Sequence, residues 1–355
     1  LLYTGTGSSN IVEGLEFSPD MIWVKGRDTN GTEHAIIDSV RGGTKSVVPN
    51  STDAESTHGG RSMTFYPGGV RWNSDSNICN ANGENYALWC WKGGGSSNTF
   101  NVDGTGYATA AAAGITDGNV AITGASVNRK NGFSVVTYTG STASGALTVG
   151  HGLNKKPAWV IIKRRDATSD WIIGHQGFAT NAFENNKFLK FTNETIFTNS
   201  LVWGAEPTTT VTQIVSNGAG GAANLTSSGT YVMYSWAEIP GYSKFGSYTG
   251  NGSSDGTFVH TGFRPAFIIV KNLNTVKHWG MYDNKRAGYN VENYALFPSD
   301  ASATEDTSDY IDILSNGFKL RSSALFQNKS GDTIIYIALA EHPGVSPFTT
   351  MVNAR

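Results

Sequence analysis

The side chains that could carry chemistry include seven histidines, and their placement favours structural roles. His151 and His260 stand just ahead of corresponding proline-led stretches, in VGHGLNKKP and VHTGFRP, and a catalytic centre would not need such near-duplicates. A histidine in a turn commonly bonds nearby backbone groups. The chain has no H-E-x-x-H, no G-x-S-x-G and no cysteine–histidine spacing typical of a metal site. We therefore expect no catalytic residue, no metal and no cofactor.

Acidic residues offer two further candidate sites. Two related polar loops, NSTDAES and ASATEDTS, could hold Ca²⁺ through clustered oxygens, although solvated turns are the commoner outcome for such loops. Their acids are Asp53, Glu55, Glu305 and Asp306. Glu238 and Glu341 end corresponding stretches, but nothing in the sequence places them within the roughly 5–10 Å that separates a glycosidase pair.

Tryptophans are the remaining candidates for ligand contact. Trp23 and Trp159 lie in strongly apolar stretches and are predicted to be core residues. Trp72 and Trp203 stand beside turns, where an indole ring can stack on a sugar, and they are the predicted candidates for glycan contact, with core packing as the alternative. Cys79 and Cys90 are too few for a disulfide framework, and either two separate thiols or one bridge would satisfy the sequence.

The elements that must position these residues occur three times. The first copy runs from Leu2 to Lys92, the second from Phe133 to Glu238 and the third from Phe245 to Glu341. Each begins with a Tyr-Thr-Gly stretch, continues through a proline-led apolar run, and closes on a long alternating stretch. The apolar run ends in a lysine, which we expect to return the chain to water. A period near one hundred residues is too long for a solenoid and indicates duplicated domains.

Turn-bounded, β-branched and aromatic runs predict an all-β fold. We expect three tandem antiparallel β-sandwiches of jelly-roll or lectin-like type. The predicted boundaries are 1–93, 133–240 and 241–355, the last including a C-terminal tail. Residues 94–132, rich in glycine and alanine, are predicted to form an ordered, extended connector, because the run Ala110–Ala113 lacks the features of a stable helix.

Charge and hydropathy exclude several classes of protein. Charged residues make up 15% of the chain and the net charge is −2, with no lysine–arginine cluster, which argues against a nucleic-acid partner. No apolar run approaches the roughly 18 residues of a membrane span. The chain starts at Leu1 rather than methionine and shows no secretory signal, so we expect that an upstream portion is missing.

The amino-acid sequence resembles a domain family of virion proteins from short-tailed marine bacteriophages. The likeness covers nearly all 355 residues. It is carried by SVRGGTKSVVPNSTDAES, ALWCWKGGGSSNTFNVDGTGYATAAAAGITDG, GASVNRKNGFSVVTYTG, EIPGYSKFGSYTGNGSSDGTFVHTGFRPAFIIVKN, YDNKRAGYNV, IDILSNGFKLR and a chain end in NAR. The resemblance implies a virion component, commonly a tail-fibre or structural protein with a lectin-like sandwich fold, and it supplies no catalytic residues.

From this resemblance we expect a non-enzymatic structural protein, made in the host cytoplasm and carried in the virion. A tail fibre, spike or surface adhesin that contacts the host surface is the leading hypothesis. A capsid decoration protein is the alternative, and a glycan-degrading depolymerase is the third. The expected partners are other virion proteins, further copies of the chain (a trimer for a tail appendage) and a host glycan or protein. No nucleic acid or membrane insertion is expected.

Overall fold

The computed structural model describes most of the chain. Its described residues are 1–28, 32–57, 63–74, 76–141, 146–178, 183, 187–192, 194–198, 202–215, 229–286, 290, 294–300 and 305–341. Within these ranges the secondary structure is β-strand apart from one 3₁₀ turn and one four-residue helix, and nearly all strand pairs are antiparallel. The all-β prediction is confirmed. The jelly-roll or lectin-like arrangement stays a prediction.

The strands follow the blocks of the sequence repeat. The first copy forms β1 Leu2–Thr4, β2 Asn10–Glu13, β3 Met21–Gly26, β4 Ala35–Asp38, β5 Lys45–Ser46, β6 Ser56–Thr57, β7 Met63–Tyr66, β8 Gly69–Trp72 and β9 Asn85–Trp91. The connector forms β10 Phe100–Val102, β11 Thr105–Tyr107 and β12 Ile122–Asn128. The second copy forms β13 Phe133–Thr139, β14 Ala146–Gly150, β15 Pro157–Arg164, β16 Trp171–His175, a 3₁₀ turn Gln176–Phe178, β17 Lys187–Phe188, β18 Phe197–Thr198, β19 Val211–Val215 and β20 Thr230–Ala237. The third copy forms β21 Ser243–Thr249, β22 Phe258–His260, β23 Phe267–Asn272, β24 Gly280–Asp283, β25 Ile311–Leu314, β26 Gly317–Leu320, helix α1 Leu325–Asn328 and β27 Thr333–Leu339.

One strand order recurs in the larger sheets. It is β1-β9-β3-β4 in the first copy, β13-β20-β15-β16 in the second and β21-β27-β23-β24 in the third. The proline-led strands β3, β15 and β23 are interior strands in each case, which explains why they are apolar on both faces. Smaller outer sheets also correspond, in the orders β2-β8-β7, β14-β19 and β22-β26-β25.

The closing strand of each copy divides its side chains between two cores. In β9, Tyr86 and Leu88 belong to a core that lies within the first copy, whereas Ala87, Trp89 and Trp91 belong to a second, larger core. We call the core within a single copy its outer core. Because side chains alternate across a strand, one sheet can serve both cores. Strands β20 and β27 divide their residues in the same way.

The larger core, which we call the shared core, takes side chains from all three copies. Phe191 touches Trp23, Trp171 and Trp279, one tryptophan from each copy, at ring-centroid distances of 5.4, 5.4 and 5.3 Å. The predicted core residues Trp23 and Trp159 lie in this core, as does Phe267, and all three are at most 6% exposed. The large sheets of the three copies therefore pack against one another through these side chains.

The connector is built into the second copy. Strands β10–β12 continue its sheet beyond β13, giving seven strands in the order β11-β10-β12-β13-β20-β15-β16. The pairing of β10 with β12 is parallel. Residues 110–113 form turns rather than a helix, and Ala113 and Ile115 pack into the outer core of the second copy.

Candidate functional site

The two predicted glycan contacts are buried, and this prediction is corrected. Trp72 and Trp203 are each 1% exposed. Trp72 packs in the outer core of the first copy, and Trp203 packs against Phe183 in the second, where its Nε1 donates to the carbonyl oxygen of Lys187. A ring without an exposed face cannot stack on a sugar. Both indoles fill cores, although their neighbouring turns suggested exposure.

The two cysteines and His151 make no site for a ligand. Cys79 and Cys90, both in the described part of the chain, are not joined by a disulfide. His151 Nδ1 accepts from the N–H of Leu153, and its Nε2 faces the carbonyl oxygen of Thr208 at 3.3 Å. Burial lowers the pKa of His151 to about 4, so the ring is neutral near pH 7. His151 therefore has the backbone-bonding role that its turn position predicts.

The polar side chains that the fold brings together lie between copies. At the junction of the first and second copies, Arg41 Nε donates to Asp38 Oδ2 at 2.6 Å, and the hydroxyl of Tyr234 donates to the same oxygen at 2.7 Å. Glu55 receives Arg41 at 3.2 Å and Arg165 at 2.8 Å. This cluster, the first junction, joins strand β4 to strand β20 of the next copy.

Charges in the first junction stabilise one another. Burial acts to raise the pKa of Glu55, but hydrogen bonds from Arg165 and Arg41 outweigh it and leave the pKa below its ordinary value. Burial raises the pKa of Tyr234 well above its usual range, so the phenol stays protonated and can donate. The sequence left open whether the loop of Glu55 binds Ca²⁺. In the structure the Glu55 carboxylate pairs with Arg41 and Arg165 instead.

The junction of the third and first copies repeats the same chemistry. Arg286 Nε donates to Asp283 Oδ2 at 2.6 Å, and Trp89 Nε1 donates to that oxygen at 3.1 Å. Glu305 receives Arg27 at 2.6 Å and Arg286 at 3.3 Å. Trp89 pairs with Trp23 as Tyr234 pairs with Ile161, so the two hydrogen-bond donors occupy corresponding strand positions.

The junction of the second and third copies uses different residues at the corresponding positions. His175, at the end of β16, stands where Asp38 and Asp283 stand in β4 and β24. Its Nδ1 accepts from Gly177 N–H, so Nε2 carries the hydrogen and donates to the carbonyl oxygen of Tyr336 at 3.2 Å. The N–H of Ile196 donates to the carbonyl oxygen of Leu273, as Glu55 N–H does to Arg165 and Glu305 N–H does to Arg27.

A second set of hydrogen bonds also links each copy to another. Trp171 Nε1 donates to Val48 of the first copy at 3.1 Å, and Trp279 Nε1 donates to Lys190 of the second at 3.0 Å. His34 Nε2 donates to Phe297 of the third at 3.1 Å, since its Nδ1 accepts from Trp23 Nε1. Each acceptor is a backbone carbonyl oxygen. Together these contacts link first to second, second to third and third to first.

Three corresponding lysines at the ends of the proline-led runs are buried beside these junctions. Lys25, Lys163 and Lys271 are each fully buried, and their ammonium groups donate to backbone carbonyl oxygens. Burial lowers the pKa of Lys25 and Lys163 to about 8 and that of Lys271 to about 7. The prediction that these lysines return the chain to water was wrong, because all three are buried.

A cleft of about 830 Å³ opens where the ends of the copies meet. Its lining includes Trp91, Lys130, Phe267, Lys285 and Glu341. Lys285 and Glu341 form an exposed ion pair at 2.7 Å across this region. Among the described residues, no group of three or more histidine, cysteine or acidic side chains is arranged to hold a metal ion. No described helix is long and apolar enough to cross a membrane.

A family model matches residues 1–343, and so takes in all three copies and the connector. The chain belongs to the DUF7483 family. That family is described as a domain of unknown function. No curated protein and no solved structure matches the chain. The DUF7483 family model thus spans, as a single unit, the three copies that the junctions link.

The junctions were not predicted from the sequence, although the sequence contains a signal for them. Arg27 and Arg165 occupy the same place after the proline-led lysine, and Glu55 and Glu305 lie in corresponding loops. Matched opposite charges in duplicated domains can pair between copies as well as within them. Each of the two charged junctions is centred on a buried Asp-x-x-Arg pair, Asp38 with Arg41 in the first copy and Asp283 with Arg286 in the third.

Proposed function

We propose that the chain consists of three copies of one β-sandwich module that close into a ring, and that it is a non-enzymatic structural component of a bacteriophage particle. The observation that carries the proposal is the closed circuit of corresponding contacts around the shared core. In a ring of this kind each module presents one surface to the module before it and another to the module after it. The product is a stiff body with approximate threefold character.

The chemistry of the polar residues supports a structural role. The buried ion pairs around Arg41 and Arg286 are each tied to another copy. Asp38 and Glu55 bond Tyr234 and Arg165 of the second copy, and Asp283 and Glu305 bond Trp89 and Arg27 of the first. Strongly perturbed pKa values often mark active sites, but ion-pair networks between domains produce them as well. At the junctions, burial raises the pKa of Tyr234. Burial acts in the same direction on Glu55 and Asp283, but pairing with arginines outweighs it and lowers the pKa of both carboxyl groups.

The phage assignment rests on the resemblance in wording to virion proteins of short-tailed marine phages. Within that class we propose a tail fibre, spike or surface adhesin that contacts a host glycan or protein. The polar loop 251–255 of the third copy is fully exposed and follows the Tyr-Thr-Gly strand β21. Weak contacts from such loops would gain strength from many copies on one particle.

The ring also favours a second candidate, a capsid decoration protein. A body with three similar outer surfaces can match a position of threefold symmetry on a shell, because each surface then meets the same neighbour. The same property suits a trimeric tail appendage. In both cases the shared core is filled within one chain, so a homo-oligomer would assemble through outer surfaces.

Immunogold electron microscopy of intact particles, with antibodies against the purified chain, tests the proposal. Label on the tail supports the fibre or adhesin, and label on the shell supports the decoration protein. Particles that lack the chain, both by labelling and by mass spectrometry, would overturn a virion role. A loss of viscosity when the purified chain is incubated with host surface polysaccharide would overturn the non-enzymatic assignment.

A further inference from the structure

The outer sheet of the second copy has an edge that the connector covers. Strand β14 pairs on one side with β19, and residues 117–120 run along its other side. The carbonyl oxygen of Thr148 accepts from the backbone N–H groups of Asn119 and Val120, both at 3.0 Å. The side chain of Asn119 accepts from Thr148 N–H at 2.8 Å and donates to the carbonyl oxygen of Ala146 at 2.9 Å.

Glycine at position 118 makes this close approach possible. A Cβ atom there would lie 2.8 Å from both Gly150 N and the carbonyl oxygen of Thr148, closer than side-chain atoms approach in proteins. Gly118 also has a φ of +106°, which disfavours other residues. The segment that covers β14 therefore fits this edge through a glycine, an asparagine and an aliphatic residue in succession, Gly118, Asn119 and Val120.

Among the described residues, no strand covers the corresponding edges of the first and third copies. Strands β2 and β22 are the outermost strands of their sheets, next to β8 and β26. The N–H groups of Gly14 and Thr261 donate to the carbonyl oxygens of Gly68 and Asn316 in the neighbouring chain segments. Along an antiparallel strand, successive residues direct their N–H and C=O groups alternately toward and away from the partner strand. Those of Ile11 and Phe258 therefore point away from their partner strands. In the described part of the chain, no hydrogen bond reaches these outward groups.

Exposed apolar side chains mark the same two edges. Ile11 pairs with Arg71 and Phe258 pairs with Lys319, at the position that Thr148 occupies opposite Gln213 in the covered sheet. Ile11 is 51% exposed and Phe258 is 45% exposed. Large apolar groups beside an unpaired strand edge are a surface that a further strand can cover.

We propose that the open edges of β2 and β22 each bind an extended Gly-Asn-aliphatic segment of another polypeptide, in the way that residues 118–120 cover β14. The bound segment adds a strand to the outer sheet, and its backbone N–H groups donate to the carbonyl oxygen of Ile11 or Phe258. Its asparagine bonds the outward backbone groups, as Asn119 does. The aliphatic residue covers the exposed Ile11 or Phe258 side chain.

The inference does not depend on where the chain lies in a particle, so its failure leaves the proposed function standing. A fluorescein-labelled peptide, ITDGNVAI, with the sequence of residues 115–122, serves as the probe for the intact chain. The control peptide, ITDVAVAI, replaces the glycine and the asparagine. We expect two ITDGNVAI peptides to bind per chain, with a dissociation constant of about 1 mM or tighter, and the control to bind at least about tenfold more weakly.

Proline variants locate the site. Ile11→Pro combined with Phe258→Pro removes only outward N–H groups, so the β2–β8 and β22–β26 pairings are kept. We expect this variant to lose peptide binding while its melting temperature stays close to that of the parent. If it does not fold, Ile11→Lys with Phe258→Lys keeps the backbone edge, and we expect it to weaken binding at least about tenfold, since edge lysines oppose strand addition.

Three results would overturn the inference. The first is no detectable binding of ITDGNVAI at millimolar concentration. The second is binding of one peptide per chain that the edge variants leave unchanged, since the peptide would then be replacing residues 118–120 on β14. The third is a dimer of the parent chain that the proline variant dissolves, because a second copy of this chain would then be the occupant of the edges.

Discussion

At the scale of residues, the charged groups that look most like a catalytic centre hold copies together. Asp38 and Arg41 have fully buried side chains, and they share Tyr234 of the next copy. A charge in such a place must keep its partner, because an unpaired buried charge costs several kcal/mol. The junctions are therefore sensitive to the loss of a single group.

Replacing Arg41 tests this dependence. Arg41→Met has a similar volume but leaves the buried Asp38 without its cation, while Glu55 keeps Arg165, and we expect the free energy of unfolding to fall by about 3–5 kcal/mol in urea titrations. Arg71→Met, at an exposed arginine on β8, is the matched control and should change stability by about 0.5 kcal/mol or less. Equal effects of the two substitutions would show that the first junction adds no stability.

The buried lysines predict how stability depends on pH. The pKa of Lys271 is about 7 in the folded chain, against an ordinary value of 10.5. Between these values the unfolded state binds more protons than the folded state, so this lysine makes stability rise as pH rises from about 7 to about 10.

The variant Lys271→Met isolates this contribution. We expect a plot of unfolding free energy against pH, between pH 7 and 10, to be flatter for the variant than for the parent, by up to about 1.4 kcal/mol per pH unit. Lys277→Met, at a neighbouring lysine whose backbone oxygen accepts the Lys271 ammonium group, is the control. Identical slopes for the parent and Lys271→Met would contradict the claim that burial favours the neutral form of the Lys271 side chain.

At the scale of elements, local sequence predicted the strands well. Proline before an apolar run placed β3, β15 and β23 inside their sheets, and alternation placed the closing strands β9 and β20. Local sequence could not predict what covers each face. Trp89 and Leu88 are both apolar neighbours on β9, and only the packing between copies distinguishes the shared core from the outer core.

The connector shows the same limit. Its glycines and small residues predicted an extended path, but its register against β14 depends on the approach of Gly118 to Thr148 and Gly150. Asn119 then satisfies three backbone groups of one strand edge. Contacts of this kind depend on the fold of a domain that begins further along the chain.

Gly118→Ala tests the close approach. The variant combines backbone strain with a clash against β14, so we expect thermal unfolding at a lower temperature than for Gly104→Ala. Gly104 is the matched control, because its φ is +91° and a Cβ there would meet nothing within 4 Å. The difference between the two variants should be about 1–3 kcal/mol. Equal melting temperatures would mean that residues 117–120 do not lie against β14.

At the scale of the whole molecule, the sequence predicted separate domains and left open how large their interfaces are. The shared core answers that question for the described residues. One face of each large sheet packs on the other copies, with Trp91, Trp236 and Phe267 in contact across the boundaries. Alternating apolar residues look the same whether a sheet meets its own partner or a neighbouring copy, so the sequence pattern could not reveal this.

Differential scanning calorimetry of the full chain tests the central claim, that the copies form one cooperative body around the shared core. We predict a single transition whose van't Hoff enthalpy is close to its calorimetric enthalpy, because no copy can unfold without exposing the others. Trp236→Ala should shift that whole transition to lower temperature. Three resolved transitions, or a calorimetric enthalpy about three times the van't Hoff value, would show independent domains and contradict the account.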